Sequence, residues 1–65
     1  MSNPIIRFFA YAHLPERLQV ISKPFGELAK TIVETTNPGA EQSTALRKLL
    51  ESKDAAVRAA LPEEK

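Results

Sequence analysis

The feature that most constrains this chain is an apolar stripe that crosses a proline. Leu14, Leu18, Ile21, Phe25, Leu28 and Ile32 are spaced four, three, four, three and four residues apart, which gathers them on one face of a helix. Pro24 lies inside the stripe, where it removes a backbone hydrogen bond and costs about 3 kcal/mol in an ordinary helix interior. The stripe keeps its phase across Pro24. One kinked helix from about Leu14 to Thr36 explains that phase better than two helices joined by a turn, because a turn resets the register.

The punctuation around this helix sets the architecture. Leu14-Pro15-Glu16 reads as a helix start, since proline suits a first turn and an acid there complements the helix dipole. Asn37-Pro38-Gly39 ends the helix and begins another, with Asn37 as N-cap and Pro38 in the first turn. The second helix is expected from Pro38 to Leu61, with Leu46, Leu49, Leu50, Val57, Ala60 and Leu61 turned to one side. Arg47, Glu51, Asp54 and Arg58 fall beside that face at pairing distances, as do Lys30 and Glu34 on the first helix. Each helix is about 35 Å long at 1.5 Å per residue. Equal lengths and a tight link predict an all-α fold, an antiparallel helical hairpin with a kinked first helix. Lys53 is out of place, falling at the centre of the second apolar face. It is expected to snorkel to water or to pair with an acid, within the chain or across a subunit interface, rather than to contact a phosphate. On the opposite side, Ala55 and Ala59 are small enough for another helix to come close.

With 65 residues and no cysteine, the chain is a single domain, 1–65, without a disulfide or thiolate metal site. The single His13 cannot hold a structural zinc without several carboxylates. A monomeric core of this size supplies only about 3–5 kcal/mol, so a homo-oligomer is expected. No run reaches the roughly 18 apolar residues of a membrane span, and no signal-peptide pattern opens the chain. A cytoplasmic, cysteine-free protein with no membrane partner is the expectation. Nine Lys and Arg against eight acids leave a net charge of +1, which gives no general attraction for duplex nucleic acid.

Three of the four aromatics, Phe8, Phe9 and Tyr11, crowd into the segment before the first helix, beside Ile5, Ile6, Arg7 and His13. Met1 to Pro4 should fray. From Ile5 to His13 the pattern fits an extended strand, with Ile5, Arg7, Phe9, Tyr11 and His13 on one face. It equally fits a helix, with Ile5, Phe8, Phe9 and Ala12 together. Catalysis finds no support: the histidine has no cysteine partner, no serine sits in a nucleophile elbow, and no glycine-rich phosphate loop is present. No enzyme activity, cofactor or metal is expected. What remains is a set of aromatics and cations, Arg7, Phe9, Tyr11, His13, Lys23 and Lys30, of the kind that stacks on a base and holds a phosphate. Structural roles compete with each. Phe8 and Phe9 suit the core, His13 a local hydrogen bond, and the two lysines solvent. Tyr11 serves either role, because its ring can pack while its hydroxyl seeks water.

The run Phe8-Phe9-Ala10-Tyr11-Ala12-His13-Leu14-Pro15-Glu16, then Glu27-Leu28-Ala29, and then Pro38, Glu41, Ser43, Ala45-Leu46 and Lys48-Leu49, resembles the phage anti-CBASS sponge family. The likeness runs from Arg7 to Ala60. It implies a small helical hairpin assembled as a homohexamer in the cytoplasm of an infected bacterium. Such a protein sequesters the cyclic dinucleotides of bacterial defence, cyclic GMP-AMP among them, without cleaving them. The resemblance further implies that Tyr11 stacks on a base and that Lys23, or Ser22 beside it, approaches the phosphates. Fewer residues separate His13 from Pro15-Glu16 than in other members, which shifts the register and makes Lys30 the alternative cation. It also implies a second pocket for cyclic trinucleotides, for which Arg47 and Arg58 are candidates on chemistry alone. The rival expectation is a non-enzymatic hairpin that binds a partner protein's helix, anchored by the N-terminal aromatics.

Overall fold

Pro24 sits on the solvent side of a helix that runs through it unbroken. In a computed structural model describing residues 3–61, the first long helix, α1, spans Glu16–Thr35 and the second, α2, spans Ala40–Ala60. Pro24 leaves the Val20 carbonyl without its usual donor, but Val20 is 71% exposed, so that face of the helix is open to water. The two helices pack as an antiparallel hairpin: the Arg17 guanidinium at the start of α1 donates to the Ala60 carbonyl at the end of α2, at 3.3 Å. The described residues contain no strand.

The N-terminal aromatic segment is helical only as far as Phe9, and residues 10–13 form no helix. Pro4–Phe9 forms a 3-10 helix. The Asn3 side chain caps it by accepting from the Ile5 N–H at 3.1 Å, and its amide also donates to Ser43 Oγ on α2 at 3.0 Å. Asn3 and Pro4 are therefore tied down where fraying was expected; Met1 and Ser2 lie outside the described residues. The core joins all three elements through Phe9, Ala29 and Leu46, flanked by half-buried Ile5, Ile6, Phe25, Ile32, Val33, Leu49 and Leu50.

The buried line along α1 is displaced from the apolar stripe. Leu18, Ser22 and Ala29 are the buried residues, and Leu28 of the stripe is 49% exposed. At 100° per residue the contact line lies roughly 60° from the centre of the stripe. Small side chains at Ser22, Gly26 and Ala29 explain the rotation, because they let neighbouring backbones approach where bulkier groups would hold them apart.

The link between helices also differs from expectation. Gly39, not Asn37, occupies the N-cap of α2, with φ 147° and ψ −168° and no side-chain cap, so Pro38 precedes the helix. That backbone region is essentially restricted to glycine, which places the entry into α2 at residue 39. Buried Gln42 reaches back across the link, donating to the Thr36 carbonyl at 3.3 Å and Thr36 Oγ1 at 3.0 Å. It satisfies acceptors left over at the end of α1.

Lys53 has an intrachain partner. Its Nζ lies 3.1 Å from the Asp54 carboxylate, and its side chain is 13% exposed. This is the one ion pair among the described residues, so neither the Lys30–Glu34 pair nor the expected group of Arg47, Glu51, Asp54 and Arg58 closes into ion pairs. Exposed pairs of that kind gain little and lose side-chain entropy. The charged tail from Pro62 to Lys65 lies outside the described residues.

Candidate functional site

Local hydrogen bonds fix the approach to α1. The Leu14 N–H donates to the Tyr11 carbonyl at 3.0 Å, closing a turn. The Gln19 amide donates back to the Leu14 carbonyl at 2.8 Å and the Ala12 carbonyl at 3.3 Å. Pro15, extended at φ −54°, stands at the N-cap, where the Leu18 and Gln19 N–H groups share its carbonyl. The segment from Phe9 to His13 is thereby laid along the side of α1.

Two grooves flank it. The larger, of about 860 Å³, is walled by Ile6, Phe9, Ala10 and Tyr11 on one side and by Gly26, Glu27, Lys30, Val33, Glu34 and Pro38 on the other. The smaller, of about 360 Å³, lies between Arg7, Phe8, Ala10, His13 and Leu14 and the residues Lys53, Asp54, Val57 and Arg58 of α2. Ala10 is common to both walls.

The sequence candidates divide between these grooves. Tyr11 and Lys30 meet in the larger one, together with Phe9. Phe9 is only 3% exposed, however, so it supplies a wall and a core contact rather than a stacking face. Arg7, His13 and Arg58 meet in the smaller one, where the Arg7 guanidinium lies 4.9 Å from the centroid of the Phe8 ring. Lys23 and Arg47 are exposed and line neither groove. Ser22 is fully buried and its hydroxyl has no hydrogen-bond partner. Its expected approach to a phosphate is corrected: the side chain faces the packed interior, because the contact line of α1 is rotated onto it.

Several lining residues escaped the sequence reading. Gly26, Glu27 and Glu34 belong to the larger groove, and Lys53 to the smaller. The spacing of Gly26 and Lys30, one turn apart on α1, would have paired them had the contact line been known. The grooves differ in charge. Lys30 faces two carboxylates in the larger, whereas Arg7, Lys53 and Arg58 outnumber Asp54 in the smaller. Carboxylates accept from the N–H donors of base edges and cationic side chains bind phosphate, so the larger groove offers Glu27 and Glu34 to a base edge and Lys30 to a phosphate, while the smaller is the more cationic of the two. No group of three or more His, Cys, Asp or Glu able to hold a metal occurs among the described residues, and none of their helices is long and apolar enough to cross a membrane. Comparison with protein-family models, with curated proteins and with solved structures returned no match to this chain.

Proposed function

We propose that this protein binds cyclic dinucleotides in the larger groove and sequesters them without cleaving them, as a homohexamer in the cytoplasm of an infected bacterium. One observation carries the reading: the only tyrosine in the chain and Lys30 line the same groove. Stacking on an aromatic face beside a cation is the chemistry that retains a base and its phosphate. The groove's volume lies within the roughly 300–1,000 Å³ of small-molecule sites. Sequestration, the hexamer and the counter-defence role rest on the family resemblance. The smaller cationic groove, with Arg58 but without Arg47, is the candidate for a cyclic trinucleotide.

Native mass spectrometry with a panel of cyclic and linear dinucleotides tests the reading, because it reports stoichiometry and ligand together. Stacking of one base is worth about 1–3 kcal/mol, so Tyr11→Ala is expected to weaken binding roughly tenfold to a hundredfold with the assembly intact. Tyr11→Phe should keep most of the affinity, since only a hydrogen bond of about 1 kcal/mol is lost. Lys30→Ala should weaken binding and flatten its salt dependence, with Lys23→Ala doing less. If no cyclic dinucleotide binds the wild-type protein, the sponge reading falls and the helix-binding hairpin becomes the better account.

A further inference from the structure

Gly26 is an interior helical residue, and its backbone needs no glycine. The only positive φ among the described residues belongs to Gly39, so Gly26 sits in a conformation that any residue adopts. Alanine would serve the helix better there, because glycine leaves more conformational freedom to be lost on folding. Its presence therefore answers to packing. A Cβ built at residue 26 would lie 3.2 Å from the Phe9 carbonyl oxygen and 3.4 Å from both Cδ2 and Cε2 of Tyr11. The N-terminal segment thus rests directly on the bare backbone of α1, with one edge of the tyrosine ring against it.

From this we infer that Gly26 is a positioning residue for Tyr11: its missing side chain is the seat that sets where the ring stands in the larger groove. The backbone on either side of the ring is already held, by the Ala10 N–H donating to the Arg7 carbonyl and the Leu14 N–H donating to the Tyr11 carbonyl. The remaining freedom is that of the side chain, one edge of which lies against residue 26. A methyl group there would crowd the Phe9 carbonyl oxygen at 3.2 Å and touch the ring edge at 3.4 Å, so the segment that carries the ring must give by a few tenths of an ångström. Because this seat matters for the ligand only if the ring stacks on a base, the inference rests on the cyclic-dinucleotide reading. The position of the ring itself can be read without a ligand.

The chain has one tyrosine and no tryptophan, so iodide quenching of tyrosine fluorescence reports Tyr11 alone, as does the tyrosine band of the near-UV circular dichroism, which lies at longer wavelength than the bands of the three phenylalanines. Gly26→Ala in the full chain is expected to keep the helical far-UV spectrum while changing both tyrosine signals. It should also lower affinity for cyclic GMP-AMP about tenfold, the scale of one lost stacking contact. In a Tyr11→Ala background the same change should leave the residual affinity unaltered. Unchanged tyrosine signals in Gly26→Ala would overturn the inference. So would altered tyrosine signals with wild-type affinity, or the same fold-loss of affinity with and without the ring. Should Gly26→Ala fail to fold, the double variant decides: a folded Tyr11→Ala/Gly26→Ala protein supports the seat, and an unfolded one removes it. If the wild-type protein binds no cyclic GMP-AMP but the tyrosine signals of Gly26→Ala still shift, the seat stands and only the ligand reading falls.

Discussion

Ser22 shows how a polar side chain can occupy the packed side of a helix at a net loss. Its hydroxyl is buried without a partner, and a stranded group of that kind carries a desolvation cost of about 1–3 kcal/mol. Ser22→Ala removes the hydroxyl, keeps the small volume that lets the chains approach, and raises helix propensity. It is expected to stabilise the fold by about 1 kcal/mol in urea denaturation and to leave ligand affinity unchanged. A loss of stability of the same size would mean that the hydroxyl is satisfied by water or by a neighbouring subunit. Lys53 is the opposite case. It lies where the apolar pattern put it, yet its charge reaches the half-exposed carboxylate of Asp54, so no partner from another subunit is needed. Such a pair, with one member largely in solvent, contributes about 1 kcal/mol or less.

Among the elements, the two helices came through from sequence with their ends moved by only one or two residues. The order of residues around Pro24 foretold a continuous α1 because a helical phase maintained over four or more turns is a property of the backbone itself. The link departs from its local sequence chemistry. Asn37 and Pro38 have the usual chemistry of a helix start, but Gly39 takes a backbone conformation closed to other residues and moves the start of α2 past them. Gly39→Ala is therefore expected to cost about 1–3 kcal/mol, seen as a lower urea midpoint with an unchanged helical spectrum. A neutral result would show that the link can re-form with Asn37 as cap. The aromatic segment was open between strand and helix because its apolar residues fit both periods; capping by Asn3 and burial of Phe9 against Ala29 and Leu46 favour the 3-10 helix.

For the whole molecule, the balance between buried and exposed apolar surface argues for association. Phe9, Leu18, Ala29 and Leu46 are the buried apolar residues described, while Phe8, Val20, Leu28 and Leu61 are large and exposed. A lone 65-residue hairpin of this kind has little stability of its own. Sedimentation at micromolar concentration is expected to show a species several times 7.2 kDa, with a thermal midpoint that rises with protein concentration, as it must when folding and assembly are linked. A folded monomer whose midpoint ignores concentration would refute it. By itself the sequence determined the helical class, the hairpin, the passage of α1 through Pro24 and the residue types of the candidate site, because helical period and turn chemistry act between residues a few positions apart. Only the tertiary structure decided that Tyr11 meets Lys30 rather than Lys23, that Ser22 is buried, and that Arg7, His13, Lys53 and Arg58 share a groove. Those outcomes depend on which line of α1 can be approached most closely. That line follows the small residues Ser22, Gly26 and Ala29, whereas hydrophobic periodicity marks only where the bulky ones lie.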